Sequence, residues 1–161
     1  MIPMVNLKAQ YAEIKDEVER GLAETIENCS FILGPNVQAF EKEAAEYLGV
    51  KHAIGVASGT DALHLALIAE GIGAGDEGIV PANTYIATWK AIHLAGAIPV
   101  PVEPDVTTMN IHIDNILPAI RKRTKAIMPV HLYGLPCEMR NIINVADAHD
   151  LYVIEDNAQA V

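Results

Sequence analysis

Three short stretches carry side chains that could act together on a small charged ligand: Ser58-Gly59-Thr60-Asp61, Pro81-Ala82-Asn83-Thr84-Tyr85, and Asp156 with Gln159 three residues on. The first precedes an apolar helical pattern containing Leu63, Leu65 and Leu67. Small and hydroxylated residues there leave amide N–H groups pointing outward at the positive end of a helix dipole, a ready anion site. The plainer reading is capping, because Ser, Thr and Asp are ordinary N-cap residues. In the second stretch Tyr85 offers a flat ring on which a planar ligand could stack; alternatively it fills a gap with its hydroxyl in water. In the third, the apolar run Leu151–Ile154 reads as a buried parallel strand that delivers Asp156 to its carboxyl end. That edge of an open α/β sheet is where ligands bind. A carboxylate there suits a cationic ligand atom, with a protonated pyridine nitrogen a leading candidate, and holding that proton would keep the ring an electron sink. Gln159 could donate to a phenolate oxygen on the same ring. Against this, Asp156 could equally cap a following helix.

These stretches need a frame that brings them to one edge, and the hydrophobic pattern supplies it. Residues 9–28 read as an amphipathic helix with Ile14, Val18, Leu22 and Ile26 on one face. After the Gly34-Pro35 turn signal, Val37, Phe40, Ala44 and Tyr47-Leu48 mark a second helix, capped by Gly49. Strand-like runs follow at His52–Ala57, Gly78–Val80, Ile98–Val102, Ala126–Val130 and Tyr152–Ile154. Helical stretches alternate with them at Asp61–Glu70, Ile86–Ala95, Asp114–Arg121 (short or kinked because of Pro118) and Glu138–His149. Such alternation predicts an α/β fold with a mostly parallel sheet flanked by helices. Gly78 is the weak point of its strand, since glycine disfavours strand interiors. Residues 1–50 are expected to form a helical segment and residues 51–161 a partial α/β domain.

Composition narrows the class of ligand. A hydrophobic fraction of 51% with 20% charged residues describes a folded chain. Eleven basic against 21 acidic residues give a net charge of −10, which argues against a nucleic-acid groove or an anionic membrane surface. A ligand phosphate would have to be held by backbone amides and helix ends. Cys29 and Cys137 show no CxxC pairing, and the six histidines show no HxxxH or HExxH spacing, so neither a disulfide nor a metal site is expected. No secretory leader or membrane span is read, which makes a cytoplasmic location the expectation.

The stretches Ala57-Ser58-Gly59-Thr60-Asp61-Ala62-Leu63-His64-Leu65-Ala66-Leu67, Pro81-Ala82-Asn83-Thr84-Tyr85-Ile86-Ala87-Thr88, Pro129-Val130-His131-Leu132-Tyr133-Gly134 and Glu155-Asp156-Asn157-Ala158-Gln159-Ala160 resemble the DegT/DnrJ/StrS family of pyridoxal-phosphate sugar aminotransferases. Ile32-Leu33-Gly34-Pro35 and Phe40-Glu41 fit as well, so the likeness runs from about the first helix to the last residue. The resemblance implies the N-terminal part of a fold-type-I large domain, working as a homodimer. It implies transfer of an amino group, usually from glutamate, to a keto sugar carried on a nucleotide. Carried over by position, Gly59, Thr60 and Asp61 would hold the phosphate of pyridoxal 5′-phosphate. Tyr85 would stack on the ring, Asp156 would pair with its nitrogen, and Gln159 would contact its hydroxyl. The family's Schiff-base lysine would lie beyond Asp156. None of Lys8, Lys15, Lys42, Lys51, Lys90, Lys122 or Lys125 is placed to replace it, so the chain alone is expected to be inactive. Within the same family, dehydratases of deoxysugars carry histidine at the lysine position, which keeps a pyridoxamine-dependent dehydratase as a second reading. A non-catalytic binding or scaffold domain is a third.

Overall fold

A computed structural model describes residues 4–160. The chain divides into two compact units after Gly55. The first holds α1 (Leu7–Glu27) and α2 (Pro35–Leu48). Both begin as their sequences suggest. Asn6 caps α1 by accepting the Ala9 N–H at 3.1 Å, and α2 starts on Pro35, whose missing N–H belongs to an unpaired position. Gly49 ends α2 with φ of +66°, the left-handed conformation that glycine adopts without a Cβ penalty. The amphipathic face expected on α1 buries none of its residues.

The expected strand at His52–Ala57 does not form; these residues are irregular coil. Here the Gly55 N–H is taken by the Glu41 Oε1 of α2 at 2.7 Å rather than by a neighbouring strand. An apolar run is only a potential strand until a ladder partner meets its backbone donors.

In the second unit the order is α3 (Gly59–Ala69), β1 (Glu77–Pro81), α4 (Ile86–Leu94), β2 (Ile98–Val102), α5 (Ile113–Ile116), β3 (Thr124–Ile127), α6 (Met139–His149) and β4 (Tyr152–Val153). These four strands pair in parallel, in the spatial order β2-β1-β3-β4. Each face carries its own core, and the period-two alternation of the central strands shows it. Val80 and Ala126 pack with Leu63, Leu67, Ala91 and Ile92 of α3 and α4. Their neighbours Ile79 and Ile127 pack on the other side with Ile116, Ile142 and Ala146 of α5 and α6. Burial on both faces is why β1 reads as unbroken apolar sequence from Gly78 to Pro81.

Gly78 in the centre of the sheet has a packing reason. A Cβ there would lie 3.1 Å from Ile92 Cδ1, so its absence lets α4 settle against the strand. The prolines of β2 also fit their places. Ile98 donates to Asp76 and Val102 accepts from Ala82, so residues 98 and 102 face β1 while Pro99 and Pro101 direct their missing donors to the outer edge. Proline is tolerated on such an edge and discourages pairing with another chain.

Two other expectations change in detail. The helix sought over Asp114–Arg121 is one turn of α-helix followed by a 3₁₀ turn at Leu117–Ala119, because Pro118 lacks the N–H to continue it. The run Leu151–Ile154, expected to be buried, is an edge strand only two residues long in which Tyr152 is 45% exposed. It pairs with β3 on one side only.

Gly78→Val should destabilise the chain by roughly 1–3 kcal/mol by overpacking Ile92, seen as a lower urea midpoint with unchanged slope. Cys137, in the core on the α6 side, has its thiol pushed up from 9.0 to about 11, first of all by burial. Between those values the unfolded chain releases a proton that the folded chain keeps, so the folded state loses stability as pH rises through the window and is unaffected below it. Urea midpoints measured from pH 8 to pH 11 should therefore fall less steeply in Cys137→Ala than in the unsubstituted chain.

Candidate functional site

The carboxyl ends of β1 and β3, the amino ends of α3 and α4, and residues 155–159 border one cavity of about 450 Å³. Its lining includes Gly59, Thr60, Tyr85, Asp156 and Gln159, five of the six residues singled out from sequence. The sixth, Asp61, is not part of the lining. Ser58 is the N-cap of α3; its Oγ accepts the Asp61 N–H at 3.1 Å and donates to Asp61 Oδ2 at 2.9 Å. Asp61 therefore serves the cap, and its amide is already taken. The amides of Gly59 and Thr60 are the first two of α3 and have no acceptor within the helix, which leaves them for a ligand anion.

Tyr85 is the N-cap of α4 in extended conformation, and 73% of its surface is exposed. Among the described residues its side chain makes no capping hydrogen bond, and its ring borders the cavity.

Asp156 is 8% exposed. Its backbone bridges to Val130: its N–H donates to the Pro129 carbonyl at 2.9 Å and its carbonyl accepts from the His131 N–H at 3.2 Å. The β3–β4 ladder skips from Ile127 to this single bridge, so Asp156 is anchored where the strands end. Its side chain does not cap a helix. Oδ1 accepts the Ala158 N–H at 3.2 Å, two residues on, in the manner of an Asx turn, and Oδ2 accepts from the Thr88 hydroxyl at 2.8 Å. An ionised carboxylate has about four acceptor sites, so these two donors leave capacity toward the cavity.

Gln159 reaches back to the turn at Leu132–Gly134, where its Oε1 accepts the Tyr133 N–H. The donor fixes which end of the amide faces the turn, so the Nε2 donors remain for other partners. Gly134, at φ +82°, permits the approach: a Cβ there would lie 3.3 Å from the Gln159 carbonyl. Tyr133 precedes it at φ +58°. Asn110 secures the same turn, accepting the Leu132 N–H at 3.2 Å and donating to the Leu135 carbonyl at 2.7 Å.

Sequence reasoning missed the residues that hold these groups. His131 is buried, and its Nδ1 accepts the Cys137 N–H at 3.0 Å. The proton of the neutral ring then lies on Nε2, which donates to Glu155 Oε2 at 2.9 Å. This pair ties the segment after β3 to the segment after β4 beside the Asp156 bridge, and Glu155, another lining residue, has its charge engaged. Thr88 is fully buried beneath Asp156. A lone threonine on the otherwise apolar stretch Ile86-Ala87-Thr88-Trp89, three residues after Tyr85, was the available signal.

The chain's sequence and fold have clear counterparts. The DegT/DnrJ/EryC1/StrS aminotransferase family matches residues 12–161. Over 160 residues the chain is 51% identical to UDP-N-acetyl-3-dehydro-alpha-D-glucosamine 3-aminotransferase of Acidithiobacillus ferrooxidans, covering 99% of this chain and 43% of that protein. Over 159 residues it is 46% identical to dTDP-3-amino-3,4,6-trideoxy-alpha-D-glucose transaminase of Streptomyces venezuelae, covering 99% of this chain and 42% of that one. The crystal structure of NtdA from Bacillus subtilis with bound cofactor PMP superposes with a TM-score of 0.90 at 38% identity, over 92% of this chain and 34% of that one. The chain thus spans less than half the length of these relatives. Sharing their sequence pattern over nearly all its residues and the fold of their solved counterpart, it belongs to the DegT/DnrJ/EryC1/StrS aminotransferase family.

Proposed function

We propose that the protein to which this chain contributes is a pyridoxal-phosphate-dependent aminotransferase that moves an amino group from glutamate to a keto sugar carried on a nucleotide. The observation that carries the proposal is the meeting of unpaired helix amides, a flat aromatic and a buried carboxylate around one cavity. Its volume, about 450 Å³, lies in the range of small-molecule sites. The donor set suits the cofactor's chemistry as well. Gly59 and Thr60 would bind the phosphate through N–H groups at the positive end of α3, which is how a chain of net charge −10 can hold a dianion. Tyr85 would cover one face of the ring, Asp156 would keep the proton on the pyridine nitrogen, and Gln159 would donate to the ring oxygen. Bound there, the cofactor supplies an electron sink and an exchangeable amino group.

Among the described residues the lining contains no lysine. The base that moves the substrate proton is therefore assigned to the remainder of the protein, since the relatives extend well beyond the matched region. A homodimer is part of the proposal and accords with α1, whose Ile14, Leu22 and Ile26 stay exposed in one copy. The nucleotide-sugar substrate rests on the relatives, whose names specify UDP- and dTDP-linked sugars. Among the described residues no helix is long and apolar enough to cross a membrane, which accords with a cytoplasmic biosynthetic enzyme.

The test uses the intact protein. Pyridoxamine 5′-phosphate should bind saturably, pyridoxamine without its phosphate should bind far more weakly, and Asp156→Asn should weaken the phosphate form by about tenfold or more. Glutamate-dependent amination of UDP- or dTDP-linked keto sugars, followed by mass spectrometry of the product, should separate transfer from loss of water. Absence of saturable binding would overturn the proposal.

A further inference from the structure

Thr88 lies in the first turn of α4 and has no exposed surface. Its hydroxyl oxygen has three polar neighbours: Asp156 Oδ2 at 2.8 Å, Thr84 Oγ1 at 3.0 Å and the Tyr85 carbonyl at 3.3 Å. A hydroxyl has one proton to give. The carboxylate is the nearest acceptor and the only ionisable one, and charge-assisted bonds are the stronger class, so the proton goes to Asp156. The Thr84 contact then works in one direction, with Thr84 donating to the Thr88 oxygen. The outcome is a directed chain from Thr84 through Thr88 to Asp156, in which each bond polarises the next. Thr84 borders the cavity, whereas Thr88 does not.

The chain closes a two-point hold. Thr88 grips Oδ2 from α4 while the Ala158 N–H grips Oδ1 at 3.2 Å from the loop after β4. Gripped at both oxygens, the carboxylate cannot rotate without breaking a buried bond. It also lies beside the positive end of the α4 dipole, which favours a negative charge there.

We infer that Thr88 is a positioning residue: through the Thr84–Thr88 hydroxyl chain it sets the Asp156 carboxylate in the orientation that accepts the N–H hydrogen bond of the cofactor's protonated pyridine nitrogen. The inference deepens the cofactor reading above and rests on it. Its consequence is selective. Loss of the Thr88 hydroxyl should weaken only that part of cofactor binding that passes through the ring nitrogen.

The test compares pyridoxamine 5′-phosphate with its 1-deaza analogue, which keeps the ring and phosphate but lacks the nitrogen, on the intact protein. Neither ligand can form a covalent link to a lysine, so equilibrium binding is read directly. Thr88→Val should weaken the natural ligand about tenfold and leave the analogue within about twofold. Thr88→Ser should recover most of the loss, and Thr88→Val should add nothing in an Asp156→Asn background. Should Thr88→Val fail to fold, Thr84→Val removes only the outer hydroxyl and should give a smaller loss with the same ligand selectivity.

Equal losses for both ligands, or no loss for either, would overturn the positioning role while leaving the cofactor reading intact. Failure of the unsubstituted protein to bind either ligand would overturn both.

Discussion

A carboxylate taken out of water must be answered by donors, and at Asp156 one donor comes from a distant segment of the second unit and the other from two residues on. Thr88 is 68 residues away in sequence, and its hydroxyl meets the carboxylate in the buried interior. Burying a charge without partners is costly, so this contact constrains how α4 sits at the carboxyl edge of the sheet. Backbone bonds reinforce it. The single bridge between Val130 and Asp156 extends the parallel ladder one step past its regular end, and the His131–Glu155 pair fastens the same two segments beside it. Two kinds of interaction therefore converge on Asp156, and a third fastens the segments that carry it.

Parallel topology explains why the convergence happens at an edge rather than in the middle of the sheet. Each strand delivers its chain to the same side, where the next helix begins with unpaired amides. The two cores on either face leave little freedom in that arrangement: Ile79 and Val80 commit β1 to both at once, and Gly78 allows α4 to lie close. The cavity is thus a product of strand direction, and its polar equipment follows from helix starts and strand ends.

Electrostatics divide the cavity by means other than opposite side-chain charges. Among the described residues the lining contains two carboxylates and no arginine or lysine. Glu155 is engaged by His131, and the positive end is supplied by backbone groups at α3. Under the proposed function, an acidic chain can in this way bring anion-accepting and cation-accepting groups to one cavity. Because backbone dipoles are fixed by the helix, that polarity does not depend on long side chains keeping their rotamers.

Much of this was legible in the linear chain. Pro35 and Gly49 mark the ends of α2, the strand at Ile98–Val102 has the bounds its residues suggest, and the alternation of apolar strand runs with helical stretches identifies a parallel sheet with helices on both faces. Such features depend on near neighbours, whose capping chemistry and periodicity are written within a few residues. The failures have a common cause too. His52–Ala57 has strand-like residues, yet its Gly55 N–H goes to Glu41, fourteen positions away. Thr88 looks like an ordinary helix residue until Asp156 is brought against it. Local sequence settles which backbone groups need partners and which side chains can offer them. Which offer is taken depends on the packing of distant segments, because a hydrogen bond forms only where both its ends are carried to the same point.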